Sequence, residues 1–218
     1  MEKTKTAGIK RILIFVLDVL VVAFVLYAMS IMVRIRKNGA LVSGGLGAFK
    51  YYTVLSNVFC ALSCICSAVY FLIRKNYELP SWLYIFRLMG SSVVSVTLLV
   101  VLFFLGMIYG YRSMFSGVSF WLHLVAPVLA IISQILLKQA EPLPFATSFW
   151  GIAPTVVYGI FYISVNAIGW TGTPNRQTDF YYFLNWGWGI GIVIFLAIFA
   201  INWLVSLLYW SLGRKKGN

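Results

Sequence analysis

Six apolar runs of about twenty residues each, parted by short polar clusters, make up most of this chain. They lie at 12–33, 52–73, 88–110, 120–137, 148–168 and 186–210. A helix rises ~1.5 Å per residue, so such runs match the ~30 Å hydrocarbon core of a bilayer. The pattern predicts an all-α fold: a polytopic membrane protein with six transmembrane helices in one bundle formed by residues 1–218. No linker or soluble appendage is expected. Lys3, Lys5, Lys10 and Arg11 before the first run could open a secretion signal. That run is longer than a signal's apolar core, and no small-x-small cleavage site follows it, so it is read as helix 1.

Composition supports the pattern. Of 218 residues, 61% are hydrophobic and 10% charged, too little charge to cover a soluble domain. The net charge of +12 raises nucleic acid as a partner. The 17 Lys and Arg instead fall at the ends of the runs, where they orient the chain and meet anionic headgroups. No nucleic-acid partner is expected. With the N-terminus inside, Lys3, Lys5, Lys10, Arg11, Arg74, Lys75, Arg87, Lys138, Arg214, Lys215 and Lys216 face the cytoplasm. Arg34, Arg36, Lys37, Lys50, Arg112 and Arg176 face outward. That imbalance predicts a multi-pass protein of the cell membrane with both termini cytoplasmic. Tyr51, Tyr52, Tyr111, Trp121, Trp170, Tyr181 and Trp186 then gather at the outer interface, where amphipathic rings prefer to sit.

Cys60, Cys64 and Cys66 share one apolar run, whereas a disulfide framework would use loops. Only His123 is available elsewhere to complete a soft metal site. The cysteines are read as small apolar packing residues, and no metal or organic cofactor is expected. Gly106 with Gly110 and Gly187 with Gly191 form Gly-x-x-x-Gly pairs, which serve packing within the bundle or, alternatively, dimerisation. Gly44, Gly45 and Gly47 lack the strand and lysine of a phosphate cradle and predict a flexible connector.

The candidate chemistry centres on His123, the one histidine, just inside helix 4. An ionisable residue at membrane depth is a functional candidate, and imidazole is the usual proton acceptor near neutral pH. Pro127, four residues on, has no N–H for the His123 carbonyl, so a distorted, polar pocket is expected there. The alternative is an interfacial histidine bonded to nearby backbone. Helix 2 opens with Tyr51-Tyr52-Thr53-Val54-Leu55-Ser56-Asn57. Thr53 and His123 are expected at one depth, with Asn57 on the Thr53 face and Ser56 close by. A hydroxyl beside an imidazole is the minimal nucleophile–base pair for acyl transfer, and Asn57 would donate to the oxyanion. Equally, Thr, Ser and Asn hydrogen-bond between membrane helices without chemistry. Asp179, in the loop before helix 6, either orients His123 or is a solvated charge. Asn166 and Asn185 are further polar candidates. Asp18 in helix 1 lies too far in depth to join them and either pairs with an Arg or Lys or belongs to an ion path.

Three segments together resemble the androgen-induced protein family of intramembrane hydrolases and its bacterial relatives. The threonine segment corresponds to Phe49-Lys50-Tyr51-Tyr52-Thr53-Val54-Leu55-Ser56-Asn57 and the histidine segment to Trp121-Leu122-His123-Leu124-Val125-Ala126-Pro127. Tyr181-Tyr182-Phe183-Leu184-Asn185 is similar to the Tyr-Pro-Phe-Leu-acid/amide segment before the last helix. The resemblance implies six transmembrane helices, Thr53 as nucleophile and His123 as its base. Its animal members cleave fatty acid esters of hydroxy fatty acids. Tyr182 replaces the family's proline, and Leu122 stands where a polar residue precedes the histidine. A related branch of acyltransferases uses cysteine at the position of Thr53. The expectation is an intramembrane hydrolase of fatty-acyl esters, with membrane lipids as partners and Ser56, Asn57, Asp179 and Asn185 around the substrate. The rival is a non-enzymatic lipid-binding or transport bundle.

Overall fold

The computed structural model of the protein describes residues 2–34, 45–74, 78–168, 172, 175 and 178–214. Arg36, Lys37, Gly44, Lys75, Trp170, Arg176, Lys215 and Lys216 lie outside the described residues. Six long helices form: α1 (Glu2–Arg34), α2 (Tyr52–Ile73), α3 (Ser81–Tyr109), α4 (Gly117–Leu136), α5 (Phe145–Ile168) and α6 (Gly187–Gly213). Each is long and apolar enough to cross a membrane. Their flanks expose Leu72, Ile73, Phe103, Met107, Val157 and Ile168, a surface far more apolar than water tolerates and matched to lipid tails. The chain is a multi-pass membrane protein.

α2 packs against both α1 and α3, and α3 also meets α4 and α6. The N-termini of α2, α4 and α6 therefore share one end of the bundle. At the opposite end a two-stranded parallel ladder, β1 (Glu78–Leu79) with β2 (Lys138–Gln139), ties two connections together. Gln139 Nε2 donates to the Trp210 carbonyl at 3.1 Å and Lys138 Nζ to that of Leu212 at 2.5 Å, fixing the end of α6.

Several sequence expectations change. α3 begins at Ser81, behind Pro80, rather than near 88. Arg87 therefore leaves the predicted inner loop and sits inside the bundle, 0% exposed, paired with the equally buried Asp18 at 3.0 Å. The charge interrupts the apolar run in sequence; its counter-ion comes from a helix nearly seventy positions away. Cys64, expected as apolar packing, has its sulfur 2.6 Å from Arg87 Nη1. Residues Gly45–Lys50 form a 3₁₀ turn. The Gly-x-x-x-Gly pairs serve local turns. Gly106 abuts the ring of Tyr111, Gly110 takes φ 83° to end α3, and Gly191 lies under Leu184. Close helix contacts use Gly90 against α2 and Gly159 against Phe199 of α6.

Candidate functional site

Thr53 is the second residue of α2, which starts after the extended Tyr51 (φ −84°, ψ 133°). It is 9% exposed and lines a partly open pocket between α2, α3, α5 and α6, whose roughly 470 Å³ of non-atom space includes its open mouth. Most of that wall is apolar, with Val101, Leu105, Phe183 and Phe195 among its members. Its polar atoms belong to a few hydroxyls. Tyr52 Oη and Thr155 Oγ1 are 2.6 Å apart, and Asn202 Nδ2 donates to the same Thr155 oxygen at 2.5 Å. Tyr158 Oη donates to the Lys50 carbonyl at 2.8 Å.

The helices beside Thr53 are irregular at this level. α3 widens into a π-helical turn at Val101–Leu105, and α4 does so at Trp121–Val125. The second follows from Pro127, which cannot donate to the His123 carbonyl, as the sequence predicted. π turns shift side chains out of α register and cluster at functional positions. Tyr111 Oη donates to the Leu102 carbonyl at 2.8 Å, serving an acceptor within the first of them.

His123, also 9% exposed, has Nδ1 2.8 Å from the Met114 carbonyl. A carbonyl only accepts, so Nδ1 carries the proton of the neutral ring. Nε2 then holds a free lone pair, the form a general base needs. Met114 precedes α4, so the ring is turned toward the loop end of its helix.

Asn57 links the two segments. Its Nδ2 donates to the Thr53 carbonyl at 2.7 Å and to the Leu122 carbonyl, next to His123, at 2.9 Å. Both amide hydrogens are thereby used, and Oδ1 is buried without a partner. Ser56 Oγ donates to the Thr53 carbonyl at 3.1 Å and meets Thr97 Oγ1 of α3 at 2.8 Å. No hydrogen bond joins the Thr53 hydroxyl to His123 among the described residues, and His123 is not one of the cavity's wall residues.

Asp179 is fully buried rather than a solvated loop charge. Tyr162 Oη donates to Oδ1 at 2.6 Å and the Leu184 N–H to Oδ2 at 3.2 Å. The carboxylate thus folds its own loop, while His123 is oriented by backbone. Asn166 Nδ2 donates to the carbonyls of Tyr162 and Thr178, at 2.9 and 3.2 Å, and the Asn185 N–H to that of Tyr182 at 3.2 Å. Tyr181, expected among the interfacial aromatics, is buried in the cavity wall. Sequence reasoning missed Tyr158, Tyr162, Thr155 and Asn202. The four-residue spacing of Tyr158, Tyr162 and Asn166 on α5 was the available signal.

No family model, curated protein or solved structure matches this chain.

Proposed function

We propose that the protein is an intramembrane hydrolase of fatty-acyl esters, with Thr53 as nucleophile and His123 as general base. The observation that carries this reading is the pairing through Asn57: one side chain holds the backbone of a cavity-wall hydroxyl and that of an imidazole-bearing turn. The imidazole presents a free Nε2, and the cavity is apolar enough to receive an acyl chain laterally from lipid. Hydrogen bonds between catalytic groups tighten once substrate is bound, so the unbonded Thr53 and His123 are compatible with the role.

In the reaction, His123 Nε2 takes the Thr53 proton as Oγ1 attacks the ester carbonyl carbon. The tetrahedral intermediate collapses, the ester C–O bond breaks, and the alcohol leaves with the proton from His123. Water, deprotonated by the same ring, then attacks the acyl-threonine. The acid departs and Thr53 recovers its proton.

Thr53→Ala and His123→Ala are expected to abolish labelling by a fluorophosphonate probe while each variant still elutes as the folded protein. Undiminished labelling of both would remove the proposal. A second reading is a lipid-binding bundle without chemistry, favoured by His123 standing outside the cavity wall. Acyl ester recovered uncleaved from the purified protein after long incubation would select it.

A further inference from the structure

The segment before α6 is built with unusual care for a connection. Tyr182 adopts φ 62°, a left-handed conformation that costs a side-chain-bearing residue free energy. Proline, with φ near −65°, cannot take it, so this turn departs from the geometry that the Tyr-Pro-Phe-Leu resemblance implies. Such strain persists only where the surroundings over-determine it. Here the Tyr182 N–H donates to the Asp179 carbonyl at 3.1 Å, and the buried Asp179 carboxylate grips Tyr162 and Leu184. The Tyr182 ring sits edge-on to Tyr109, centroids 5.3 Å apart.

The turn drives Tyr181 down into the cavity. Its ring stacks on Phe183 at 5.3 Å and on Tyr162 at 5.9 Å, and the residue is 8% exposed. Its hydroxyl lies against Thr53, Tyr52 and Tyr158, yet none of these, nor any other described group, meets it with full hydrogen-bond geometry. An unpartnered buried hydroxyl is a cost that phenylalanine would avoid at the same volume, so it requires an explanation. Asn57, the donor expected from the sequence, has no N–H to spare. The cavity wall therefore carries a nucleophile candidate and, against it, a buried O–H whose hydrogen bond is not completed.

We infer that Tyr181 Oη–H donates to the ester carbonyl oxygen of the substrate and to the oxyanion formed there when Thr53 attacks. This rests on the hydrolase reading above. As the Thr53 oxygen bonds to carbon, the carbonyl π pair moves onto oxygen, and Tyr181 holds that charge without surrendering its proton. When the carbonyl re-forms, the charge leaves with the alcohol, which takes its proton from His123. Burial pushes the Tyr181 phenol up to about 12, so it stays a neutral donor at neutral pH. A donor preorganised in a dry, apolar site acts far more strongly than one in water.

The test uses the full chain in lipid nanodiscs, with a p-nitrophenyl ester of a medium-chain fatty acid as substrate. A second probe is the matching N-methyl amide, ¹³C-labelled at the carbonyl and read by infrared difference spectroscopy. Tyr181→Phe is expected to lower kcat about 100-fold with KM within about twofold, the pattern of a lost transition-state contact. The amide carbonyl band should lie at lower frequency in the wild-type protein and in Thr53→Ala than in Tyr181→Phe. A Tyr181→Phe kcat within about threefold of wild type, or a band indifferent to the hydroxyl, overturns the inference. The hydrolase reading fails separately, if Thr53→Ala turns over as fast as wild type or if wild type turns over no ester. The infrared arm then decides alone, and a Tyr181-dependent band keeps Tyr181 as a carbonyl donor to bound lipid.

Discussion

The two ends of the bundle hold their buried polar groups by different means. Toward the end that carries Glu78 and Lys138, Asp18 and Arg87 face each other, both 0% exposed. Asp18 also accepts from Ser67 and, at 2.5 Å, from Ser133, while Arg87 Nη2 reaches Ser133 Oγ at 2.9 Å and Nη1 reaches Cys64. Four helices contribute, and only Arg87 Nε among these groups lacks a partner. At the other end, around Thr53, polar groups are held in place but left open. Asn57 Oδ1 and Tyr181 Oη have no partner, and the His123 ring is tied by Nδ1 alone. The backbone follows suit. α3 is a regular helix through Ser81–Val100, past Arg87, and becomes π-helical at Val101–Leu105, beside the cavity. The ion-paired network, with only Arg87 Nε and the neighbouring Gln134 Nε2 unmatched, holds helices together. An open one costs stability and is useful only when something arrives to complete it.

The comparison breaks most readily at Arg87. Arg87→Met alone should cost about 3–5 kcal/mol, because Asp18 is left charged and unpaired in the bundle. Asp18→Leu with Arg87→Met should recover most of that loss in the same denaturant titration in mixed micelles. A single variant as stable as wild type would show that the pair does not hold the helices. An intermediate effect is expected at the link between the Thr53 and His123 segments. Asn57→Leu removes two hydrogen bonds and strands the Leu122 carbonyl, so unfolding should become easier by about 1–3 kcal/mol. Loss of ester turnover should accompany it, and retained turnover would show that His123 does not depend on that tie.

The smallest effect sharpens the contrast through two tyrosines. Tyr209 Oη meets Ser95 Oγ at 2.6 Å, so Tyr209→Phe should destabilise by about 1 kcal/mol. Tyr181 Oη has no such partner, and Tyr181→Phe should leave the unfolding midpoint unchanged or slightly raised. Equal losses in both would mean that the Tyr181 hydroxyl has a partner in the folded protein and is not held open for a ligand.

Much of the fold was legible in the chain. Lipid demands uninterrupted apolar runs of one length, and the six runs mark the six helices to within a few residues at most ends. Pro127 likewise announced the irregular turn at His123, since a missing N–H is a local fact. The failures share one cause. Arg87 looked like a loop charge, Cys64 like packing and Asp179 like a solvated carboxylate, because each is defined by a partner on another element. Thr53, Asn57 and His123 could be nominated from residue type and helical spacing.

What the sequence alone determined is the membrane architecture and the small set of polar residues that cross into it, because burial in hydrocarbon is set by composition along a segment. What only tertiary structure decided is which of those residues are satisfied. Asp18 meets Arg87 across helices, Asp179 folds back on Tyr162, and the strained turn at Tyr182 carries Tyr181 down beside Thr53 with its hydroxyl unmatched. Hydrogen bonds are short and directional, so their completion depends on distances that no one-dimensional pattern encodes.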